Sequence, residues 1–362
     1  MKIIHCADLH LDSKMSTNLT KEQAKERRME ILRTFTRMVD YAVENQVKAI
    51  IIAGDMFDTR TVSATTRNLV HDAIVQNPDI DFYYLKGNHD MDSFLSKLDE
   101  IPENLKLFSE EWRTYSYGNV TISGIELCAE NQPTLYNSLV LDIDKYNIVT
   151  LHGQLSDYRN TEIEDNISLN DLRNKNIDYL ALGHLHNFSQ GTLGVRGIYC
   201  YSGCLEGRGF DELGEKGFVL IDVDENTLDY KCKFIPISTR DIYEISVDIT
   251  GVMTTQDAAV RIETALNENP IPSKSLVKIV LCGQVDIEME LNIELLQDMF
   301  KEYFYFIKIT DQSKIYVDYR DYEKDASLKG EFIRMVLKSE LSEARKSEVI
   351  RCGIQALSGE EI

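Results

Sequence analysis

Five apolar segments of this chain each end in a short polar stretch that contains aspartate, asparagine or histidine. The segments have the length and β-branched content of buried strands. The polar stretches are Asp8 to His10, Gly54-Asp55, Gly87-Asn88-His89-Asp90, His152-Gly153 and Gly183-His184-Leu185-His186. Ligand sites in open α/β sheets form at the carboxyl ends of strands. We therefore expect these polar groups to converge on one crevice.

The first 240 residues alternate strand-like and helical segments. Predicted strands are Lys2–Cys6, Ala49–Ala53, Asp81–Leu85, Val120–Ile125, Asn147–Leu151, Ile177–Leu182, Ile198–Tyr201, Phe218–Val223 and Thr227–Ile237. Apolar residues at helical spacing predict helices over about Lys21–Asn45 and Ser63–Gln76. Interleaved strands and helices favour a layered α/β or mixed architecture.

The pattern changes near Arg240. Strand-like and helical segments then alternate over a shorter stretch, and Ala326–Leu357 has the apolar spacing of a helical tail. We predict a main domain over residues 1–240, a small α/β capping domain over 241–325 and a C-terminal helical tail over 326–362.

The ligand types in the polar stretches indicate a metal site. Five of the seven histidines lie there, together with carboxylates and an amide but no thiolate. This set of ligands is typical of a site for Mn²⁺, Fe or Zn²⁺ rather than of a structural zinc site, which is rich in thiolates. With His89 set aside, seven side chains remain. Seven is the number that holds two ions with four ligands each if one carboxylate bridges them.

Charge and cysteine content restrict the partners and the compartment. The formal net charge is −21, whereas nucleic-acid-binding proteins usually present a basic patch. Two divalent ions, or a second subunit, would supply positive charge locally. Seven cysteines without a dense framework favour a reducing cytoplasm, and no apolar run approaches the ~20 residues of a membrane span. We expect a cytoplasmic protein without a membrane segment.

The motifs D-x-H (8–10), G-D-x-x-D (54–58), G-N-H-D (87–90), His152-Gly153 and G-H-x-H (183–186) resemble the calcineurin-like metallophosphoesterase superfamily. Within it, the chain is similar to the DNA-repair exonucleases of the SbcD nuclease-subunit and YhaO type. That similarity rests on residues 4–13, on Tyr201 to Glu206, on 210–217 and on the C-terminal segment 353–361.

The resemblance implies an α+β (α/β/β/α) sandwich of two mixed β-sheets flanked by helices, with a small α/β capping domain. It implies two divalent ions, Mn²⁺ first, with Fe, Zn²⁺ and Mg²⁺ as alternatives. The ligands of one ion would be Asp8, His10, Asp55 and His186. The ligands of the other would be Asp55, Asn88, His152 and His184, with Asp55 bridging.

The resemblance also assigns roles in the reaction. Hydroxide held by the ions would attack phosphorus in line, and His89 would contact the phosphate and protonate the leaving oxygen. We expect Asp90 to hold the His89 ring. Asp58 and Arg208 are candidate substrate contacts, although a turn carboxylate and a solvated loop arginine are equally good interpretations.

The leading hypothesis is a two-metal phosphodiesterase that hydrolyses DNA. The resemblance implies a homodimer with an SbcC-like ATPase partner, and the helix over Ser63–Gln76 matches in position a region that builds the dimer in these nucleases. Two alternatives stay open. The first is a metallophosphoesterase for a nucleotide or another small phosphoester, which the acidity favours. The second is a non-catalytic subunit of an ATPase complex.

Overall fold

The computed structural model of the chain describes residues 1–15, 19–58, 61–90, 94–98, 100–160, 165–286, 289–316 and 326–357. The chain divides into two compact units, Met1–Asp241 and Ile242–Ile362. The predicted three-part division, with a separate tail, stays a prediction. Within the described ranges, no helix is long and apolar enough to cross a membrane.

The first unit contains two six-stranded sheets. The first sheet has the spatial order Tyr230–Pro236 (β14), Gly217–Val223 (β13), Lys2–Cys6 (β1), Ala49–Ala53 (β2), Asp81–Leu85 (β3) and Leu105–Leu107 (β4). The second has the order Ser189–Leu193 (β11), Gly197–Tyr201 (β12), Tyr179–Gly183 (β10), Tyr146–His152 (β7), Val120–Gly124 (β6) and Arg113–Tyr117 (β5). Strands β1 to β4 run parallel, as do β6, β7, β10 and β12, while β13, β14, β11 and β5 are antiparallel to their neighbours. Both sheets are therefore mixed.

The two sheets pack face to face, and helices cover their outer faces. Successive side chains of a strand point to opposite faces, so Ile3 lies in the core between the sheets while Ile4 packs toward the helices. Two long helices, Lys21–Glu44 (α1) and Ala64–Val75 (α2), cover the first sheet. Short helices, Leu135–Ser138 (α3) and Leu169–Leu172 (α4), contribute to the core on the outer face of the second sheet. The predicted sandwich of two mixed sheets flanked by helices is confirmed.

Side chains at the start of each long helix fix where it begins. The Thr20 hydroxyl accepts a hydrogen bond from Gln23 N, and the Gln23 side chain accepts one from Thr20 N, which together form a capping box at α1. The Ser63 hydroxyl caps α2 by accepting from Thr66 N. A further short pair of strands, Gln154–Ser156 (β8) and Asn166–Ser168 (β9), follows β7.

The second unit has a core of its own around a parallel three-stranded sheet. Its strands are Ile242–Asp248 (β15), Leu276–Cys282 (β16) and Phe306–Asp311 (β18), with Gln284–Asp286 (β17) and Lys314–Tyr316 (β19) as a separate pair. Its helices are Thr255–Glu268 (α5), Ile293–Phe300 (α6), Leu328–Leu337 (α7) and Glu343–Leu357 (α8). The C-terminal segment used for the resemblance runs past Leu357, so residues 358–361 lie outside the described residues.

Candidate active site

The carboxyl ends of five parallel strands, three from the first sheet and two from the second, bring the predicted ligand residues together. Backbone and side chains connect the two sheets at this edge. The N–H of His184, after β10, donates to both carboxylate oxygens of Asp8, after β1, over 2.9 and 3.1 Å. Nδ1 of His152, at the end of β7, lies 2.9 Å from the carbonyl oxygen of Ala53 in β2. The two sheets thus supply opposite walls of one site.

Two groups of candidate metal ligands form here. The ligand atoms of Asp8, His10 and His186 all lie within 4.8 Å of one another, and so do those of Asp8, Asp55 and His152. Below, the part of the site that contains the imidazoles of His10 and His186 is called the His10/His186 half. The part that contains His152 and Asn88 is called the His152/Asn88 half.

The imidazoles of the His10/His186 half are arranged as ligands of a cation. Their Nε2 atoms lie 3.1 Å apart. Nδ1 of His186 lies 2.7 Å from Glu212 Oε1, and Nδ1 of His10 lies 3.3 Å from Asp58 Oδ1. An ionised carboxylate only accepts, so Glu212 favours a proton on Nδ1 of His186, whereas Nδ1 of His10 faces Asp58 without forming a hydrogen bond. Two imidazole Nε2 atoms this close together, grouped with Asp8, fit the ligands of one cation.

The side chains of the His152/Asn88 half are also arranged as ligands of a cation. Nδ1 of His152 faces the Ala53 carbonyl, so the neutral ring carries its proton there. Its Nε2 lies 3.0 Å from Asn88 Oδ1 and 3.3 Å from Asp55 Oδ2, which are both acceptors. A lone pair among acceptors requires either a second proton on the ring or a metal ion. The donor set therefore fits a divalent ion in this half as well.

The pKa values of the buried carboxylates and of His152 show how strongly the charges in this site interact. Burial raises the pKa of Asp8 to about 6. Burial acts in the same direction on Asp55, but the hydrogen bond and charge of His152 outweigh it and lower the pKa of Asp55 to about 2. Burial lowers the pKa of His152, but Asp55 and Asp8 outweigh burial and raise it to about 9. Positive charge is thus favoured between the two carboxylates, where a divalent ion would take the place of the proton.

The backbone around the site adopts conformations that L-residues rarely take. Positive φ angles occur at Asp8 (51°), His10 (44°), Asp55 (52°) and His184 (107°). Such conformations cost about 1–3 kcal/mol each and concentrate at functional sites. Gly54, at φ 92°, is required for a second reason, because a Cβ there would collide with Nδ1 of His152. The fold is thus strained to aim these side chains.

His184 and His89 lie at the edge of the two ligand groups. The His184 ring stands edge-on to the His152 ring at 5.6 Å between centroids, and its Nδ1 and Nε2 belong to neither group. The His89 ring lies edge-on to His10 at 5.3 Å, and its side chain is 53 % exposed. His89 is therefore accessible from solvent, whereas His10 is buried.

The Asp90 carboxylate is engaged by backbone groups, and its predicted role of holding the His89 ring stays a prediction. It accepts hydrogen bonds from the backbone N–H groups of Met56, Phe57 and Gly87. Burial raises its pKa to about 6, against the lowering effect of those hydrogen bonds. Asp90 thus fixes the turn that carries Asp55. The carboxylate near His89 is Asp58, whose Oδ1 lies 3.7 Å from Nδ1 of that ring.

Asp58 and Arg208, the two candidate substrate contacts, lie behind the His10/His186 half. Asp58 Oδ1 is 3.3 Å from His10 Nδ1, and Arg208 binds Glu212. Glu212 was not among the site residues predicted from the sequence. Burial raises the pKa of Glu212, but His186 and Arg208 outweigh burial and lower it to about 2. Glu212 lies 26 positions after His186, in the segment 210–217 that contributes to the resemblance, but that segment gives no sign of a contact with His186.

Comparisons with known proteins agree with this geometry. Three relatives are the Bacillus subtilis metallophosphoesterase YhaO, the Methanosarcina acetivorans DNA double-strand break repair protein Mre11 and the Staphylococcus epidermidis SbcD subunit of the SbcCD nuclease. Identity is 29 %, 25 % and 24 %, over 64 %, 79 % and 70 % of this chain. The matches span 59 %, 46 % and 74 % of the respective relatives, so the chain covers about half the length of the first two.

The family match covers the part of the chain that carries the site. Residues 1–206, more than half of the chain, match the calcineurin-like phosphoesterase model and include every predicted metal ligand. Members of this family bind two divalent metals. The two-sheet sandwich and this match together show that the chain belongs to the calcineurin-like phosphoesterase family.

Proposed function

We propose that this chain is a Mn²⁺-dependent phosphodiesterase that hydrolyses DNA from its ends. The observation that carries the two-metal part is the geometry of the two halves, in which His10 and His186 group with Asp8, and His152 groups with Asp8 and Asp55. Imidazole, carboxylate and amide ligands suit Mn²⁺. The DNA part is supported by the similarity to Mre11 and to SbcD of the SbcCD nuclease.

In this proposal the ligands keep the assignment that the resemblance implies. The first ion would lie with Asp8, His10, Asp55 and His186, and the second with Asp55, Asn88, His152 and His184. Oδ2 of Asp55 lies 4.0 Å from His10 Nε2 and 3.3 Å from His152 Nε2, which suits a shared ligand. When bound, two divalent ions supply positive charge for the phosphate and activate a water molecule.

His89 is proposed to protonate the leaving group. Its half-exposed ring is open to a substrate that enters from solvent, and Asp58 lies 3.7 Å from its Nδ1. In the charged form of the ring, Nδ1–H would face Asp58 and Nε2–H would donate its proton to the leaving sugar oxygen as the phosphorus–oxygen bond breaks, which leaves the ring neutral. The backbone N–H of His89 donates to Asp55 Oδ1 over 2.9 Å, which fixes the loop against the shared carboxylate.

A small phosphoester is the second candidate substrate. The net charge of −21 favours it, because an acidic surface repels a polyanion at long range. Binding of DNA would then depend on positive charge from the metal ions or from a partner.

We propose that the chain forms a homodimer and that this homodimer binds an SbcC-like ATPase. The similarity to a subunit of the SbcCD nuclease supports this proposal. All seven cysteines are unpaired, which supports a cytoplasmic location.

The test is the degradation of an end-labelled DNA duplex in the presence of Mn²⁺ by wild type and by His184→Ala. A matched control is His71→Ala, because His71 lies on α2 and its ring pairs with the neighbouring Asp72. We expect progressive shortening by wild type and by the control, and none by His184→Ala.

Two results would contradict the proposal. If wild type leaves DNA intact but hydrolyses a cyclic nucleotide or another small diester, the substrate is the second candidate. If it hydrolyses neither DNA, alone or with an SbcC-like ATPase, nor a small ester, the isolated chain is not the proposed enzyme.

A further inference from the structure

Arg208 contacts both carboxylates that stand behind the paired imidazoles. Its Nε and Nη2 lie 3.2 and 2.9 Å from Glu212 Oε1, and its Nη1 lies 3.6 Å from Asp58 Oδ1. The side chain is only 19 % exposed. One guanidinium therefore joins the residues that face Nδ1 of His186 and Nδ1 of His10.

The proton position on His186 depends on this arrangement. Two groups compete for its Nδ1, namely Glu212 Oε1 at 2.7 Å and Arg208 Nη2 at 3.3 Å. The carboxylate is closer and only accepts, and the guanidinium only donates. The shorter, charge-assisted contact places the proton on Nδ1 and leaves Nε2 free for a metal ion. If Glu212 moved, Arg208 could bind Nδ1 instead, and the ring would adopt the tautomer that cannot bind the ion through Nε2.

The loop that carries Arg208 is itself held rigidly. The buried Arg27 of α1 donates to the Gly207 carbonyl over 2.6 Å and to Glu206 over 3.1 Å. The backbone N–H of Arg208 donates to the second oxygen of Glu212 over 2.6 Å. Both oxygens of Glu212 are thus bound by one residue, so the carboxylate has a single orientation.

We propose that Arg208 is a positioning residue for the metal centre. Arg208 pairs with both Asp58 and Glu212, and through these two carboxylates it orients His10 and His186. The inference rests on the two-metal site of the proposed function, but not on DNA as the substrate. Arg208 and Glu212 both lie beyond residues 1–206, the part that matches the family.

A phosphate contact by Arg208 is the competing role. To reach a phosphate, the guanidinium would have to leave Glu212, a carboxylate that is 3 % exposed. Removing the partner of a buried charge is costly, because the remaining charge is neither solvated nor paired. The pairing therefore favours positioning over substrate contact.

The experiment is a Mn²⁺ titration of the metal-free full chain by calorimetry, with Arg208→Ala, Arg208→Lys and Glu212→Gln. The control is Arg196→Ala, which removes an arginine with a similar two-point pairing, to Asp178 over 2.8 and 3.0 Å, at the opposite end of β10. Mutation of a residue that hydrogen-bonds to a metal-binding histidine typically lowers the metal affinity about 10–100-fold. We expect a loss of that size for one of two ions in Arg208→Ala and Glu212→Gln, a smaller loss in Arg208→Lys, and none in the control.

Two further readouts separate positioning from general damage. Long-range ¹H–¹⁵N NMR of the histidine rings in metal-free protein reports which nitrogen carries the proton. We expect His186 to hold its proton on Nδ1 in wild type and in the control, and to populate both tautomers in Glu212→Gln, which removes the carboxylate that favours the proton on Nδ1. The double variant Arg208→Ala/Glu212→Gln is expected to lose no more affinity than the worse single variant, because both act through one ring.

Each contrary result has one meaning. Wild-type Mn²⁺ affinity in Arg208→Ala would overturn the positioning role. A raised KM for substrate with unchanged Mn²⁺ affinity would overturn it in favour of a phosphate contact. Absence of Mn²⁺ binding to wild type would overturn the two-metal site itself, and this inference with it. Failure to cleave DNA with two bound ions would overturn only the choice of substrate.

Discussion

The two halves of the metal centre differ in what stands behind their histidines. In the His10/His186 half, each Nδ1 faces a carboxylate, Asp58 or Glu212. In the His152/Asn88 half, Nδ1 of His152 faces a neutral backbone carbonyl, and a neutral amide lies beside its Nε2. A carboxylate partner raises the basicity of an imidazole ligand. The first half should therefore hold its ion more tightly, and the second half should exchange its ion more readily.

Removing Asp55, the carboxylate proposed to bridge the two ions, should have the largest effect. Asp55→Asn removes the charge that lies between His10 and His152. Charge stabilisation by metal ions is worth several kcal/mol, so we expect kcat/KM to fall by about 10³-fold or more. Steady-state hydrolysis and metal content measure the change. Asp171→Asn, at an exposed pair with Arg159, is the control. Retention of two tightly bound ions in Asp55→Asn would show that the halves share no ligand there.

Removing the proposed acid should affect turnover but not metal binding in either half. We expect His89→Ala to lower kcat on DNA by about 10²–10⁴-fold, because the leaving oxygen loses its proton donor. A p-nitrophenyl diester needs little protonation, so its hydrolysis should fall much less. Parallel rate measurements on both substrates, with Mn²⁺ titrations, separate the effects. Equal losses on both substrates would contradict the acid role.

The His152/Asn88 half can be disturbed separately through Gly54. In Gly54→Ala the new methyl group would collide with Nδ1 of His152. Gly118→Ala is the matched control, since Gly118 also has positive φ (53°) but no neighbour within 4 Å of an added Cβ. We expect about 10–100-fold weaker binding of one ion in Gly54→Ala, with the other ion retained. Calorimetry with Mn²⁺ measures both, and equal weakening of both ions would show that the halves are not separable.

The smallest expected effect comes from Asp58→Asn in the His10/His186 half. The amide keeps the shape and an acceptor oxygen but loses the charge that faces His10 and Arg208. We expect about a 10-fold loss of affinity for the tighter ion. The same titration checks this value. No loss for that ion, or a loss for the weaker ion alone, would mean that the carboxylates do not set the difference between the halves.

The interior of the fold was predictable because burial leaves a clear apolar pattern. Lys2–Cys6, Ala49–Ala53 and Asp81–Leu85 were predicted with the bounds that the structure has. The edge strands Arg113–Tyr117 and Ser189–Leu193 were missed, because they are polar and mostly exposed and so lack that pattern. Pairing with a buried neighbour, not their own sequence, makes them strands.

The convergence of the site was predictable, but its supporting contacts were not. Strand ends place His152 and Asp55 together, because the carboxyl ends of parallel strands in both sheets lie at the same edge of the sandwich. The sequence alone paired His89 with Asp90, and it did not show that Asp90 also accepts hydrogen bonds from backbone N–H groups or that Asp58 lies 3.7 Å from His89. Glu212 lies in the segment 210–217 used for the resemblance, but its contact with His186 depends on the folding of the loop.

The most direct test of the two-metal centre is a crystal structure of the chain soaked with Mn²⁺, with anomalous diffraction used to locate the metal. We predict two peaks, one against Nε2 of His10 and His186 and one against Nε2 of His152 and Oδ1 of Asn88, with Asp55 between them. At limiting Mn²⁺ the first peak should be the stronger. A single peak, or two peaks away from these atoms, would contradict the two-metal centre.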